Sequence, residues 1–140
     1  MSGETNLQRL LANMQPELLE GEFVFCSVSP QAFDPLRIRP IGWFREAEGV
    51  TIIVERSVAE DEDLDYEFTS RMITLNIHSS LEAVGFLATI TSKLADAGIS
   101  ANTISAYYHD HLFVQTDRAR AAMLLLEDLR NDAAGDIIGT

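Results

Sequence analysis

The chain has 140 residues and a net charge of −12, with 22 acidic residues against 10 basic ones. That length suits one ordinary domain or two very small ones. The negative charge disfavours nucleic acid and anionic membranes as partners, because both repel an acidic surface. The mean hydropathy is +0.04, but no apolar run approaches the ~18 residues needed to cross a bilayer.

Cysteine use and the N-terminal sequence indicate the compartment. The single cysteine, Cys26, lies in the apolar run FVFCSV and has no partner for an internal disulfide, so it is interpreted as a buried thiol in a strand. The opening residues, MSGETNLQRLLANMQPELLEGEF, lack a basic start followed by an apolar block, so no secretory signal is predicted. We therefore expect a cytoplasmic protein.

The first half of the chain combines one helical pattern with several strand patterns. Thr5-Asn6-Leu7-Gln8 fits a capping box with Thr5 at the N-cap, and leucines then recur at helical spacing. Residues 30–40 contain three prolines and are predicted to be irregular. Aromatic and β-branched residues predict strands at 22–29, 41–45 and 50–55, the last two joined as a hairpin, and a short helix at 57–64.

The second half has clearer patterns. Ile73, Leu75 and Ile77 alternate with polar residues and predict a half-buried strand over 72–78. A capping box at 79–82 predicts the start of a long helix, and Gly98 with Ile99 predicts its Schellman end. Strands at 102–108 and 111–115 and a last helix over about 117–130 complete the prediction.

The two halves share one order of elements. Trp43 to Ala59 and Ala106 to Ala119 both run from an aromatic pair through a polar turn, an apolar strand and a charged linker into a helix. We expect an N-terminal helix plus a degenerate unit over 1–68, a second unit over 69–133 and a flexible tail over 134–140.

The second half resembles an ACT domain, a small βαββαβ regulatory module with a ferredoxin-like fold. The residues that carry this resemblance run from Ile73 to Val114, and LADAGISANTIS is their most specific piece. The chain as a whole resembles small stand-alone bacterial proteins with two tandem ACT domains, which are similar to the paired ACT domains of aspartokinase. The resemblance implies an α+β chain of two ferredoxin-like units, with antiparallel sheets and helices on one face.

The resemblance also implies a binding site for a small molecule, often an amino acid, at a domain or subunit interface. It places that site in the loop before the first helix of the second unit and in the strand after it. The implied ligand-binding residues are His78, Ser79, Ser80, Leu81, Glu82, Val84, Gly85, Asn102 and Ile104.

Each of these positions also has a plain structural interpretation. The Ser79–Glu82 loop suits an anion because the first N–H groups of a helix are unpaired, but it also suits simple capping. Gly85 fits close approach to a ligand or tight helix packing. Asn102 fits recognition of polar ligand groups or a bond to its own backbone.

The stretch SAYYHDHLFV raises the question of a metal or catalytic cluster. His109 and His111 are two residues apart, but a metal site needs a further ligand, and His78 is the only other histidine. We interpret residues 108–111 as a hairpin turn whose tip contacts a partner domain, with Tyr107 or Tyr108 as the aromatic anchor. No nucleotide-binding or hydrolase motif is present, so no catalytic residue, metal or cofactor is predicted.

The sequence thus predicts a non-enzymatic regulatory or sensor module that binds a small ligand, most simply an amino acid, and forms a homodimer or larger homo-oligomer. One alternative is a protein–protein interaction module without a small ligand, which predicts an exposed apolar surface. Another is a metal-dependent enzyme, which requires His78, His109 and His111 to converge.

Overall fold

The computed structural model describes residue 3, residues 5–80 and residues 83–138. For residues 137 and 138 it describes the backbone only. Within the described residues no helix is both long enough and apolar enough to cross a membrane. The elements, in chain order, are α1 (Leu7–Asn13), β1 (Pro16–Leu18), β2 (Phe23–Val28), α2 (Pro35–Ile38), β3 (Gly42–Arg45), β4 (Val50–Glu55), α3 (Arg56–Asp61), β5 (Glu67–Leu75), α4 (Phe86–Asp96), β6 (Ala101–Ser105), β7 (Asp110–Gln115), a 3₁₀ turn (Thr116–Arg118) and α5 (Ala119–Ile138).

The chain divides into two compact units. The first unit is Glu20–Arg71, and the second unit combines residues 1–19 with residues 72–140. The predicted boundaries, at 1–68, 69–133 and 134–140, stay a prediction. The structure does group the first 19 residues with the second unit rather than with the residues that follow them.

The first unit is an antiparallel sheet in the order β3-β4-β2-β5. Along β5 the register shifts between the pairs Phe23↔Ser70 and Phe25↔Glu67, and Phe68 has a φ of 57° at this bulge. Helices α2 and α3 lie on one face, because Ile38 and Ala59 join the strand residues of the core. That core comprises Val24, Cys26, Ile38, Val50, Ile52, Val54 and Ala59.

The second unit repeats this order with β1-β5-β7-β6. Its fourth strand, β1, precedes the first unit in the sequence and pairs with the end of β5, Pro16 opposite Leu75. Helices α1, α4 and α5 cover one face, where Leu10, Ile90 and Leu126 are fully buried against the strands. The expected two ferredoxin-like units, with antiparallel sheets and helices on one face, are therefore present.

The predicted start of the long helix was wrong. Helix α4 begins at Phe86, and Gly85 is its N-cap in the left-handed conformation, with a φ of 89°. Of the predicted capping box, Ser79 bonds elsewhere, and Leu81 and Glu82 lie outside the described residues. The predicted end is confirmed, since Gly98 N–H donates to Ala95 and Ile99 N–H to Leu94, as in a Schellman motif.

Three further boundaries differ from the prediction. The N-cap of α1 is Asn6 rather than Thr5, because the Asn6 side chain accepts a hydrogen bond from the Arg9 N–H at 3.0 Å. A short helix, α2, forms within the proline-rich segment that was predicted to be irregular, with Asp34 as its N-cap. Helix α5 continues to Ile138, through most of the segment expected to be a flexible tail.

Candidate functional site

A small pocket lies at the start of α4, inside the second unit. Its volume is ≈ 140 Å³. The loop after β5, the first turn of α4 and the β6–β7 hairpin form its walls. The lining residues are Ser79, Ser80, Ala83, Gly85, Phe86, Leu87, Ala88, Ser105 and Asp110.

A buried hydrogen bond joins two walls of this pocket. The Ser79 hydroxyl donates to Asp110 Oδ2 at 3.0 Å, and the two residues are only 8% and 7% exposed. The loop reaches this position through tight backbone bonds, from the Ile77 N–H to the Leu75 carbonyl at 2.8 Å and from the Ser79 N–H to the Ile77 carbonyl at 2.9 Å. A carboxylate is thus held in a mostly buried wall, where its charge interacts more strongly than it would in water.

The first turn of α4 gives its end of the pocket a positive electrostatic potential, opposite in sign to the Asp110 carboxylate. Among the described residues no side chain caps this helix, and its first backbone bond runs from Thr89 N–H to the Gly85 carbonyl. The N–H groups of Phe86, Leu87 and Ala88 therefore have no partner inside the helix. Together with the helix dipole they make this end of the pocket attractive to an anion.

An aromatic group stands beside the pocket. The His78 ring lies 6.5 Å from the Tyr107 ring and 5.7 Å from the Tyr108 ring, measured between centroids. His109 Nδ1 lies 3.3 Å from the Ile77 carbonyl oxygen. The hairpin therefore holds the loop after β5 at three successive residues, from Ile77 to Ser79.

The histidines of this stretch have separate partners. The hairpin turn spans Ala106 to His109, so Asp110 and His111 belong to β7 rather than to the predicted turn. His111 Nδ1 lies 3.0 Å from Thr74 Oγ1, and burial, followed by the charge of His109, lowers the pKa of His111. Within residues 5–80 and 83–138, no three histidine, cysteine or acidic side chains converge as metal ligands.

The structure brings together some of the predicted site residues but not all of them. Ser79, Ser80 and Gly85 line the pocket, and His78 joins the aromatic group next to it. Val84 is largely exposed and does not line the pocket. Asn102 and Ile104 are exposed on β6 and also lie outside the lining.

Sequence reasoning missed Asp110 as a pocket residue, together with Ser105 and the first turn of α4. Asp110 was considered only as part of a histidine cluster or a turn. The local sequence pattern did not indicate that Asp110 is buried, because its hydrogen-bond partner, Ser79, is 31 residues away. An aspartate that begins an apolar strand was the one available signal.

A second cleft, in the first unit, has a volume of ≈ 530 Å³ and is lined by Phe25, Cys26, Ser27, Thr51, Asp65, Tyr66 and Glu67. Burial, followed by the charge of Asp65, raises the pKa of the Cys26 thiol. The acidic groups of this cleft are exposed, and no helix begins in it. The smaller pocket in the second unit is therefore the better candidate site.

The first unit runs βαββαβ along the chain, and the second has the same strand order with β1 supplied from ahead of the first unit, so the two units together define a tandem ferredoxin-like fold. ACT-domain models match residues 2–71 and residues 67–128. The chain belongs to the ACT domain family.

Solved structures agree with this assignment. A Vibrio cholerae protein of unknown function, described as a possible transport protein, is 44% identical, with a TM-score of 0.80, and the match covers 89% of this chain and 95% of that one. The aspartokinase alpha and beta subunits have the same fold at 12% identity, with a TM-score of 0.61 and coverage of 83% and 97%. The aspartate kinase regulatory subunit of Thermus thermophilus also has this fold, at 8% identity and with a TM-score of 0.56. That match covers 83% of this chain and 95% of that one. No curated protein is significantly similar to the chain.

Proposed function

We propose that this protein is a non-enzymatic regulatory module that binds a small ligand, an amino acid, in the pocket at the start of α4. One observation carries the proposal: a buried carboxylate and the N-terminus of an uncapped helix border the same small pocket. An amino acid is a zwitterion, and these two groups match its two charges.

The pocket residues divide into separate roles. The N–H groups at the start of α4 bind the ligand carboxylate, because they lack partners and lie at the positive end of the helix dipole. Asp110 accepts hydrogen bonds from the ligand ammonium, and Ser79 fixes the orientation of the Asp110 carboxylate. Phe86 and Ala83 contribute apolar surface for the ligand side chain.

The size of the pocket limits the ligand. A volume of ≈ 140 Å³ is well below the ~300–1,000 Å³ of pockets for drug-sized molecules. This supports a small ligand, or a site that is completed at a domain or subunit interface, as the sequence predicts. Binding in that setting favours one arrangement of the domains or subunits over another, which is how such a module regulates a partner.

A thermal-shift screen tests this function directly. The protein is heated with each of the twenty amino acids, with and without zinc. A ligand at about 100 times its dissociation constant stabilises the folded state by about 2.7 kcal/mol, which is an easily measured rise in melting temperature. We expect one or a few small amino acids to respond.

Two variants locate the response. Asp110→Asn keeps the size and hydrogen-bonding capacity of the side chain but removes the charge, so the response should disappear. Thr103→Ala, at an exposed position of β6 outside the pocket lining, is the matched control and should keep it. Absence of any response in the wild-type protein contradicts the proposal, and a shift with zinc alone favours the histidine-based alternative.

The interaction-module alternative also has an observation in its favour. It predicts an exposed apolar surface, and the first unit exposes large apolar side chains around strand β3: Leu36, Ile41, Trp43 and Phe44. This surface is separate from the pocket, so a partner there and a ligand in the pocket do not exclude one another.

A further inference from the structure

The beginning of the chain packs against the loop that forms one wall of the pocket. We call residue 3 and residues 5–15 the strap, and they belong to the second unit, as does the loop after β5. The Asn76 N–H donates to the Gln15 carbonyl at 3.0 Å. The strap is therefore bonded to the loop at the residue where the loop leaves strand β5.

Gly3 makes the closest contact between the strap and the loop. A Cβ added at this glycine would lie 2.6 Å from the Ser79 carbonyl carbon and 2.7 Å from the Ser80 nitrogen. Unbonded atoms of this size sit about 3.5–4.0 Å apart, so a side chain at residue 3 would overlap the loop. Both loop atoms belong to the main chain, which cannot rotate aside as the end of a side chain can. Glycine therefore lets the strap lie directly on the loop backbone.

Leu7, the first residue of α1, meets the other end of the same loop. A Cβ added at Gly85 would have Leu7 Cδ2 3.6 Å away, which is an ordinary van der Waals distance. Gly85 is the N-cap of α4, and α1 is anchored by Leu10, which is fully buried. The strap thus contacts the loop at its beginning, in its middle and at its end.

The β6–β7 hairpin holds the loop through different atoms. Gly3 lies against main-chain atoms of Ser79, whereas the Ser79 side chain donates its hydrogen bond to Asp110. Ser79 and Ser80 both line the pocket. Two separate parts of the chain therefore determine the position of this pocket wall, the hairpin through a side chain and the strap through the backbone.

We propose that Gly3 is a positioning residue, whose close approach lets the strap clamp the loop after β5 in the conformation that lines the pocket. Gly3 acts through Ser79 and Ser80, since it is not itself a lining residue. Docking of the strap and binding of a ligand then favour the same loop conformation, so each strengthens the other. The effect on ligand binding rests on the proposed function, whereas the clamp on the loop is measurable without any ligand.

Amide hydrogen exchange of the full chain, followed by NMR, tests the clamp. In Gly3→Ala the added methyl group should push the strap away, so the Ile77 and Ser79 N–H groups should exchange at least about tenfold faster. The Ile99 N–H, at the far end of α4, should exchange as in the wild type, which separates a local effect from a general loss of stability. Gly135→Ala is the matched control, because an added Cβ there meets no described atom within 4 Å, and it should leave the loop unchanged.

The two variants are then heated with each of the twenty amino acids. An amino acid that stabilises the wild type should bind Gly3→Ala at least about tenfold more weakly and Gly135→Ala equally well. If none stabilises the wild type, the proposed function fails, and the exchange rates still decide the clamp. Exchange at Ile77 and Ser79 that is unchanged in Gly3→Ala, or that rises equally at Ile99, overturns the inference.

Discussion

Asp110 has a structural role in addition to the binding role proposed for it. A buried carboxylate needs hydrogen-bond donors, because leaving it without them costs several kcal/mol. Ser79 supplies one such donor across the pocket, at 3.0 Å. Among the described residues of this acidic chain, Asp110 is the carboxylate that lies buried, at 7% exposure. Its hydrogen bond to Ser79 therefore holds a buried acidic group in the pocket wall.

His111, the residue after Asp110, should make the stability of the folded protein depend measurably on pH. Its folded-state pKa lies below the ordinary value of 6.5, because burial and then His109 disfavour the charged ring, although Asp110 acts in the opposite direction. The unfolded chain therefore takes up a proton more readily than the folded protein. We expect stability to be complete above about pH 6.5, to fall as the pH drops through that value, and to level off below the folded-state pKa.

Chemical unfolding of the wild type and of His111→Gln, at several pH values between about 7 and 5, checks this expectation. Glutamine keeps a hydrogen-bonding group next to Thr74 but does not titrate. The wild type should lose stability more steeply than the variant over this range. Parallel curves for the two proteins would show that His111 does not contribute to the pH dependence.

At the scale of single elements, α4 depends on a glycine at each end. Gly85 has a φ of 89° and Gly98 a φ of 74°, and both lie in the left-handed region that other residues adopt only at a cost. Among the described residues, a Cβ added at Gly85 would meet only Leu7 Cδ2, at an ordinary 3.6 Å. The cost of a substitution there is therefore conformational rather than steric.

Gly85→Ala should accordingly lower the free energy of unfolding by about 1 kcal/mol. Gly135→Ala is the matched control. It lies inside α5, has no atom within 4 Å of an added Cβ, and should raise stability by about 0.5–1 kcal/mol. Urea unfolding of both variants measures the two shifts. An unchanged or more stable Gly85→Ala protein would contradict the assigned backbone role.

The same helix shows which features the sequence could predict. The Schellman end was predicted correctly because its signal is local: Gly98 and Ile99 bond to residues within the preceding turn and a half. The N-cap was predicted six residues too early, at Ser79 instead of Gly85, since Ser79 bonds to Asp110 rather than to a helix. That bond joins residues 31 apart, and no local pattern encodes such a partner.

The predicted site residues also differ in whether local sequence or a distant contact determines their position. The loop after β5 was located from the family pattern, and Ser79, Ser80 and Gly85 do line a pocket. Asn102 was chosen because it begins a strand near that loop, but it is exposed on β6 and lies outside the lining. Position along the chain thus led to three residues that line a pocket, whereas the facing wall, with Ser105 and Asp110, depended on contacts between distant residues.

The order of strands in the whole molecule explains the position of the N-terminal segment. Each unit needs a fourth strand beside its first one. The first unit takes this strand from the beginning of β5, so the second unit takes its own from β1, ahead of the first unit. Helix α1, which precedes β1 in the chain, also packs in the second unit, where Leu10 and Met14 are fully buried. A unit cut from the sequence at 69–133 would lack both elements.

This arrangement predicts the behaviour of fragments. Residues 72–140 alone should not form a stable fold, because they lose the packing of Leu10, Leu11 and Met14, three core residues of the second unit. Burial of three such side chains is worth about 5–9 kcal/mol, which is comparable to the whole stability of a small domain. The same residues joined through a flexible linker to residues 1–19, in permuted order, regain the strand and the helix and should unfold cooperatively.

Thermal unfolding followed by circular dichroism distinguishes the two fragments. The permuted chain should show a sharp transition, and residues 72–140 a weak or absent one. A permuted chain in which Leu10 and Met14 are both changed to Ala is the control for the linker itself, and it should behave like the short fragment. A stable, cooperative fragment of 72–140 would mean that the N-terminal segment only covers the second unit, rather than forming part of the core on which the pocket at α4 depends.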